Sequence, residues 1–188
     1  WSLSTQFQNA SDWPRPPLPI DSNIGVFQIG YTYAGYVNNI EYIDISTTAN
    51  AEDFGDLNIS ATYAAGSSSS TRALFSGFQT TGATYLNNIS YLSITSKGDA
   101  ADFGDLTVTR RTAAAASNGT RSIVNGGYTG SAYSEILDYV TIASTGNATN
   151  FGNQSVAGGN FLQASCASTT RGVWGGGQNT WTSWTKTR

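Results

Sequence analysis

Twelve Asp and Glu side chains and not one histidine leave carboxylates as the only ordinary general acids and bases in this 188-residue chain. Histidine-based triads are excluded, and with Cys166 as the single cysteine a Cys/His zinc site is excluded too. Glycoside hydrolysis by two carboxylates is the one catalytic route left, with Glu41, Asp44, Glu52, Asp53 and Asp138 as the acids to weigh. Most of these stand at equivalent places of an internal repeat. An active site should break such symmetry, and no acidic pair does, so the chain is expected not to be an enzyme and to need no cofactor or metal.

Three triplets share one pattern: Asp53-Phe54-Gly55, Asp102-Phe103-Gly104 and Asn150-Phe151-Gly152. Asp-Phe-Gly holds magnesium in protein kinases, but a chain without histidine lacks the His-Arg-Asp loop, and no glycine-rich phosphate loop precedes the triplets. The phenylalanines are expected to plug the space between repeat units, with Asp53, Asp102 and Asn150 accepting turn hydrogen bonds. Arg72, Arg121 and Arg171 recur on the same beat. They could ring an anion, or each could pair with a carboxylate of an adjacent unit such as Asp56 or Asp105. Turns rich in Asp and Asn offer oxygen ligands to calcium, yet no EF-hand or nonapeptide pattern is present. The aromatic residues of the variable loops are the ligand-binding candidates: Tyr31, Tyr33, Tyr36, Tyr85, Tyr128 and Tyr133, with Trp181 and Trp184 near the end. Such rings stack on sugars and anchor protein contacts.

Composition narrows the classes. Charged residues are 11% of the chain, far below the roughly 25% of an average domain. Aromatic residues at 12% argue against disorder and for many short strands joined by turns. The net charge of −3 and the absence of any basic run beyond Arg110-Arg111 disfavour nucleic acid. No apolar stretch approaches the roughly 20 residues of a membrane span. Starting at Trp1 and holding no methionine, the chain reads as a processed product or an internal fragment. Cys166 reads as a small buried strand residue.

The elements that must carry these residues follow from the repeat. The triplet phenylalanines lie 49 and 48 residues apart, the arginines 49 and 50; Tyr42, Tyr91 and Tyr139 keep the register, as do Ile45, Ile94 and Ile142. Units therefore fall at about 24–72, 73–121 and 122–171 within a single repeat domain, 1–188. Each reads as four strands: an apolar strand ending in glycine, an alternating strand such as Ile40 to Ile45, a third strand after the triplet (Asp105 to Thr109), and an inner strand of small residues such as Ala113–Ala116. The alanine run is not read as a helix, because its counterparts contain Gly and Ser and so short a helix is marginal. A fourth unit is split between residues 172–188 and 1–23. Joining the two ends would remove exposed sheet edges, so the expected fold is an all-β, four-bladed β-propeller whose last blade is closed by both termini. An open array completed by neighbouring subunits is the competing arrangement. Trp13 to Pro19 holds all four prolines and is expected to run as an extended clamp on that blade.

Val124-Asn125-Gly126-Gly127, then Tyr139, then Phe151, with Val173-Trp174-Gly175-Gly176 opening the next unit, resembles the kelch repeat, although Phe stands where kelch units have Trp. The run from Ile89 to Arg110, echoed from Leu137 to Val156, is more similar still to kelch-like repeat proteins of tailed bacteriophages, of the virion structural or tail-fibre type. That resemblance covers about residues 24–177. It implies a virion location, in the tail or a surface appendage, and a role in host attachment through a receptor on the host surface, glycan or protein. The partners it implies are other virion proteins or copies of the chain, without nucleic acid or membrane insertion. A secreted or cell-surface lectin-like propeller of cellular origin, extracellular in location, and a purely structural filament subunit are the alternative readings.

Overall fold

The structure is a computed structural model that describes residues 23–155, 158–180 and 183–184. Among them there is no α-helix; a single 3₁₀ turn, Thr81–Ala83, is the one helical element. The chain is all-β, in five small antiparallel sheets. The first has β1 (Ile24–Gln28), β4 (Asn39–Asp44) and β5 (Glu52–Asp56) in that order, with β2 (Tyr31–Thr32) and β3 (Gly35–Tyr36) as a separate hairpin. The next is β6 (Ala65–Ser68), β7 (Arg72–Thr80), β8 (Thr84–Ser93), β9 (Ala101–Asp105), and the one after it β10 (Ala114–Ser117), β11 (Arg121–Asn125), β12 (Ile136–Thr141), β13 (Thr149–Asn153). The last is β14 (Phe161–Ala167), β15 (Gly172–Thr180) and β16 (Ser183–Trp184).

The alanine run is a strand, as its Gly- and Ser-containing counterparts require. The sheets that begin with β6, β10 and β14 take that first strand from the end of the preceding sequence unit, and these first strands lie together: β10 packs against β6 on one side and β14 on the other. Side chains no larger than Ala or Ser permit that approach. Serine hydroxyls stitch it, with Ser117 Oγ donating to Ser68 O and Ser165 Oγ donating to Ala115 O at 2.6 Å. Cys166, expected in a buried place, is exposed instead. It stands on β14, the last of the first strands, with no further strand beside it among the described residues.

The third strand is also corrected. The expected strand from Asp105 to Thr109 is not one; the triplet itself forms the outer strand, in β5, β9 and β13. The alternation of Leu106 to Thr109 matches strand chemistry, but its amides find other acceptors. Leu106 N–H donates to Asn87 O at 2.7 Å and Thr107 N–H to Asp138 Oδ2 at 3.0 Å, so the segment crosses towards the next sheet. Each outer strand pairs with its neighbour through a bulge at the same place, at Ile40/Glu41, Ile89/Ser90 and Leu137/Asp138. A bulge re-aims the side chain beside it.

Sheets are joined side to side by a repeated set of bonds. Gly98 N–H donates to Phe54 O at 3.0 Å and Gly146 N–H to Phe103 O at 2.8 Å; Ala100 and Ala148 donate likewise to Asp56 O and Asp105 O. Asp99 and Asn147, rather than the triplet's own Asp53 and Asp102, supply the turn acceptors, taking the amides of Asp56 and Asp105 at 3.0 and 3.1 Å. Gly55 and Gly104 are glycine for this reason: a Cβ would lie 2.4 Å from Gly98 O and 2.5 Å from Gly146 O. The phenylalanines plug the same gaps. Phe54 is 2% exposed, among Ala73, Phe75 and Leu92 of the following sheet; Phe103 is 3% exposed, among Val124, Val140 and Ile142. Phe151 is 53% exposed, and Gly152 has nothing within 4 Å of its Cβ position among the described residues. Two joints are filled and the third stands open.

Candidate binding face

Where the first strand of a sheet begins, the chain passes through one residue with a left-handed backbone: Tyr63 (φ 64°), Thr112 (φ 51°) and Leu162 (φ 58°). These are repeat-equivalent and are linked in series, Thr112 N–H to Tyr63 O at 3.1 Å and Leu162 N–H to Thr112 O at 3.2 Å. The residue just before each is clamped across the sheet end. Thr62 exchanges two backbone bonds with Gln79, both 2.9 Å, and Arg111 two with Tyr128, 3.0 and 2.9 Å; Phe161 pairs with Gln178. The backbone there repeats while the side chains do not, so this end of the molecule is a common frame carrying different groups.

On that frame an aromatic cluster gathers around a cation. The Arg111 guanidinium carbon lies 4.9 Å from the ring centre of Tyr63, 5.5 Å from Tyr85 and 5.7 Å from Tyr128. Tyr85 meets Tyr128 edge-on at 5.8 Å, and Tyr133 stacks on Phe161 at 4.7 Å with an interplanar angle of 6°. Tyr128 is tied down by its hydroxyl, which donates to Gly130 O at 2.7 Å, and the Tyr85 ring fills the space where a Cβ of Gly130 would be, 2.8 Å away. The Tyr133 hydroxyl is pushed above its ordinary range by desolvation and by the Tyr128 phenol beside it.

Of the aromatic residues expected at a binding site, Tyr85, Tyr128 and Tyr133 are thus brought together. Tyr31 and Tyr33 are not part of this cluster. They stand on the β2–β3 hairpin and beyond it, strongly exposed, with Tyr31 edge-on to Tyr36 at 5.3 Å. The hairpin is anchored towards Tyr63 by Gln79, whose Nε2 donates to Tyr36 Oη at 3.1 Å. Trp181 lies outside the described residues; Trp184 pairs through its backbone with Gln178 in β16. Tyr63, Arg111 and Phe161 are members of the cluster that spacing alone did not single out. The available signal was that Thr62, Arg111 and Phe161 share one repeat position with three unlike side chains.

Arg72 and Arg121 take neither expected role. Arg72 Nη1 donates to Ile142 O and Ala143 O, both at 3.0 Å, while the guanidinium covers Tyr91 at 4.8 Å; Arg121 covers Tyr139 at 4.9 Å. Neither Arg72 nor Arg121 forms an ion pair among the described residues, so they are packing cations on the repeat tyrosines. Unit one has Asn23 at this position, and Lys97 of the next unit covers Tyr42 instead, at 4.4 Å, while pairing with Glu52 at 3.3 Å.

One charged pair does break the repeat. Arg110 and Asp138 are both fully buried and meet at 2.7 Å. Arg110 Nη1 also donates to Ile136 O at 2.8 Å and Gly126 O at 3.1 Å, and Asp138 accepts both the amide and the hydroxyl of Thr107. At the preceding joint the same places hold Ala61 and Ser90, with Ser90 Oγ donating to Asn58 Oδ1 at 2.9 Å. Burial pushes the Arg110 guanidinium below its ordinary range, opposed by the Asp138 carboxylate. The pair is sealed inside a joint, which gives it a structural role. Among the described residues no cluster of three or more His, Cys, Asp or Glu side chains is placed to hold a metal ion. No family model and no curated protein matches the chain.

Proposed function

We propose that this chain is a non-enzymatic recognition module, a kelch-like four-bladed β-propeller carried on a phage virion, in a tail fibre or similar appendage, and that it binds a host-surface glycan. The observation that carries the reading is the division of labour among its residues. The repeat markers, Phe-Gly and Arg-Tyr, are spent on joints between sheets. The residues that break the repeat collect as Tyr63, Tyr85, Arg111, Tyr128 and Tyr133 at one end, on a backbone frame common to the units. A rigid scaffold presenting unlike aromatic side chains from its loops is the arrangement of a recognition surface.

The ring geometry is supported by the sheets' shared strand order and by the gathering of β6, β10 and β14. It is supported too by where the array stops. Among the described residues β1 has no partner on its inner edge and β16 none on its outer one, and a fourth blade built on β14, β15 and β16 would close between them.

The test is binding of the chain to bacterial envelope fractions and to a glycan array, repeated with Tyr85→Ala and Tyr128→Ala. At least one fraction or glycan should bind, and both substitutions should weaken that binding tenfold or more. Binding to none of them removes the recognition role. A filament subunit is the second reading, favoured by the uncovered strand at Phe151, which could receive a neighbouring copy. Self-association that rises with concentration and is abolished by Phe151→Asp would select it.

A further inference from the structure

Arg110 and Arg111 are neighbours in sequence with opposite fates. Arg110 is neutralised inside a joint by Asp138. Arg111 enters neither of the two ion pairs found among the described residues, and its Nε is closed off from solvent without an acceptor. Three tyrosine rings stand around its guanidinium carbon at 4.9–5.7 Å. A guanidinium presents its N–H groups in a planar fork whose geometry matches a carboxylate.

We infer that Arg111, held among Tyr63, Tyr85 and Tyr128, binds the carboxylate of an acidic saccharide, a uronate-bearing glycan whose sugar ring lies against the neighbouring tyrosines. This rests on the glycan-recognition reading above and gives it a ligand class. Three features point the same way. The position is pre-formed, because the two backbone bonds to Tyr128 and the hydroxyl bond from Tyr128 to Gly130 fix both the cation and one wall. It is unique to one unit, since Thr62 and Phe161 occupy the equivalent places. And among the described residues no carboxylate pairs with it: Asp138 is held by Arg110 and Thr107, and Glu135 accepts the Gly158 amide at 2.5 Å. A half-buried cation beside the half-buried rings of Tyr85 and Tyr128 and the exposed ring of Tyr63 suits a ligand that is both apolar on its ring face and anionic at one edge. A simple anion would leave the tyrosines unused, and a neutral sugar would leave the guanidinium unpaired.

The experiment is titration calorimetry of the full chain with oligogalacturonate, oligoglucuronate and oligomannuronate, each against its carboxyl-reduced counterpart, with poly-L-glutamate as an acidic peptide. The expected result is saturable binding of at least one oligouronate, weakened tenfold or more by carboxyl reduction and by Arg111→Gln. Arg121→Gln, whose cation covers Tyr139 elsewhere, should stay within threefold of the parent. Carboxyl reduction acts on the ligand, so that arm decides the matter even where Arg111→Gln fails to fold. Equal binding of the reduced and native sugars overturns the carboxylate inference while leaving glycan recognition standing. Binding of poly-L-glutamate as tight as that of the best oligouronate overturns the saccharide class. Binding of no saccharide, acidic or reduced, overturns this inference and the glycan reading together.

Discussion

At single residues, the same repeat position is filled by different chemistry according to what its joint requires. Where Arg110 meets Asp138, the preceding joint has Ala61 and Ser90 at the equivalent positions, so the first joint is closed by the Ser90–Asn58 hydroxyl–amide bond and the second by a buried ion pair. Removing one member strands the other charge in a place with no water. Asp138→Ala should therefore destabilise the chain by about 3–5 kcal/mol in urea unfolding. The double change Arg110→Ala with Asp138→Ser copies the neighbouring joint and should recover at least half of that loss, a coupling that a double-mutant cycle reads directly. Full additivity of the two single changes would mean that the pair is not a unit. Sequence reasoning saw Arg110-Arg111 as a basic dipeptide and could not see that it splits, because which arginine is swallowed depends on a carboxylate 28 residues away turned inward by a bulge. The aromatic candidates were legible as types. Their grouping was not, since Tyr63 precedes β6, Tyr85 lies at the start of β8 and Tyr128 follows β11.

Strands and their joints show why glycine and phenylalanine keep the beat. Gly104 has φ 144° and its Cβ position is occupied by Gly146 O; Gly152 has φ 150° and open space around it among the described residues. Gly104→Ala should cost about 3 kcal/mol or more through steric displacement of the adjoining turn, and Gly152→Ala about 1 kcal/mol, from backbone strain alone. The phenylalanines should divide in the same way. Phe103→Ala removes a buried ring and is expected to cost about 3–5 kcal/mol. Phe151→Ala, losing a half-exposed one, should cost about 1 kcal/mol. Equal costs at the two sites, measured by thermal and urea unfolding, would show that a further segment covers Phe151. The strand pattern of the sheets was largely readable from the alternating and glycine-ended runs. The triplet was misplaced as a turn because Gly suggests a break, whereas here it marks the close approach of another backbone.

For the molecule as a whole, the repeat period predicted four-stranded units, complete in two of the sheets, and the small-residue runs indicated which strands lie together. Closure was beyond its reach: the residues equivalent to an inner strand for β1 fall at 16–19, Pro-Pro-Leu-Pro, whose prolines offer no amide hydrogens to a ladder. If residues 1–22 complete the ring, a chain beginning at Asn23 should lose several degrees of Tm and associate head to tail, whereas the full chain should run as a monomer in light scattering. Because the sheets that begin with β6, β10 and β14 each borrow that strand from the unit before, a cut at one repeat boundary and a rejoining at another leaves none of them without its strands. Residues 73–121 could be lost and β6 would meet β11 in an equivalent register. Such gains and losses of whole units are how repeat arrays change length, and here the buried charges act as a ratchet against them. The shortened chain would set Ala61 opposite Asp138 and should not fold. With Asp138→Ser it should, so the ion pair that holds one joint also fixes the number of units.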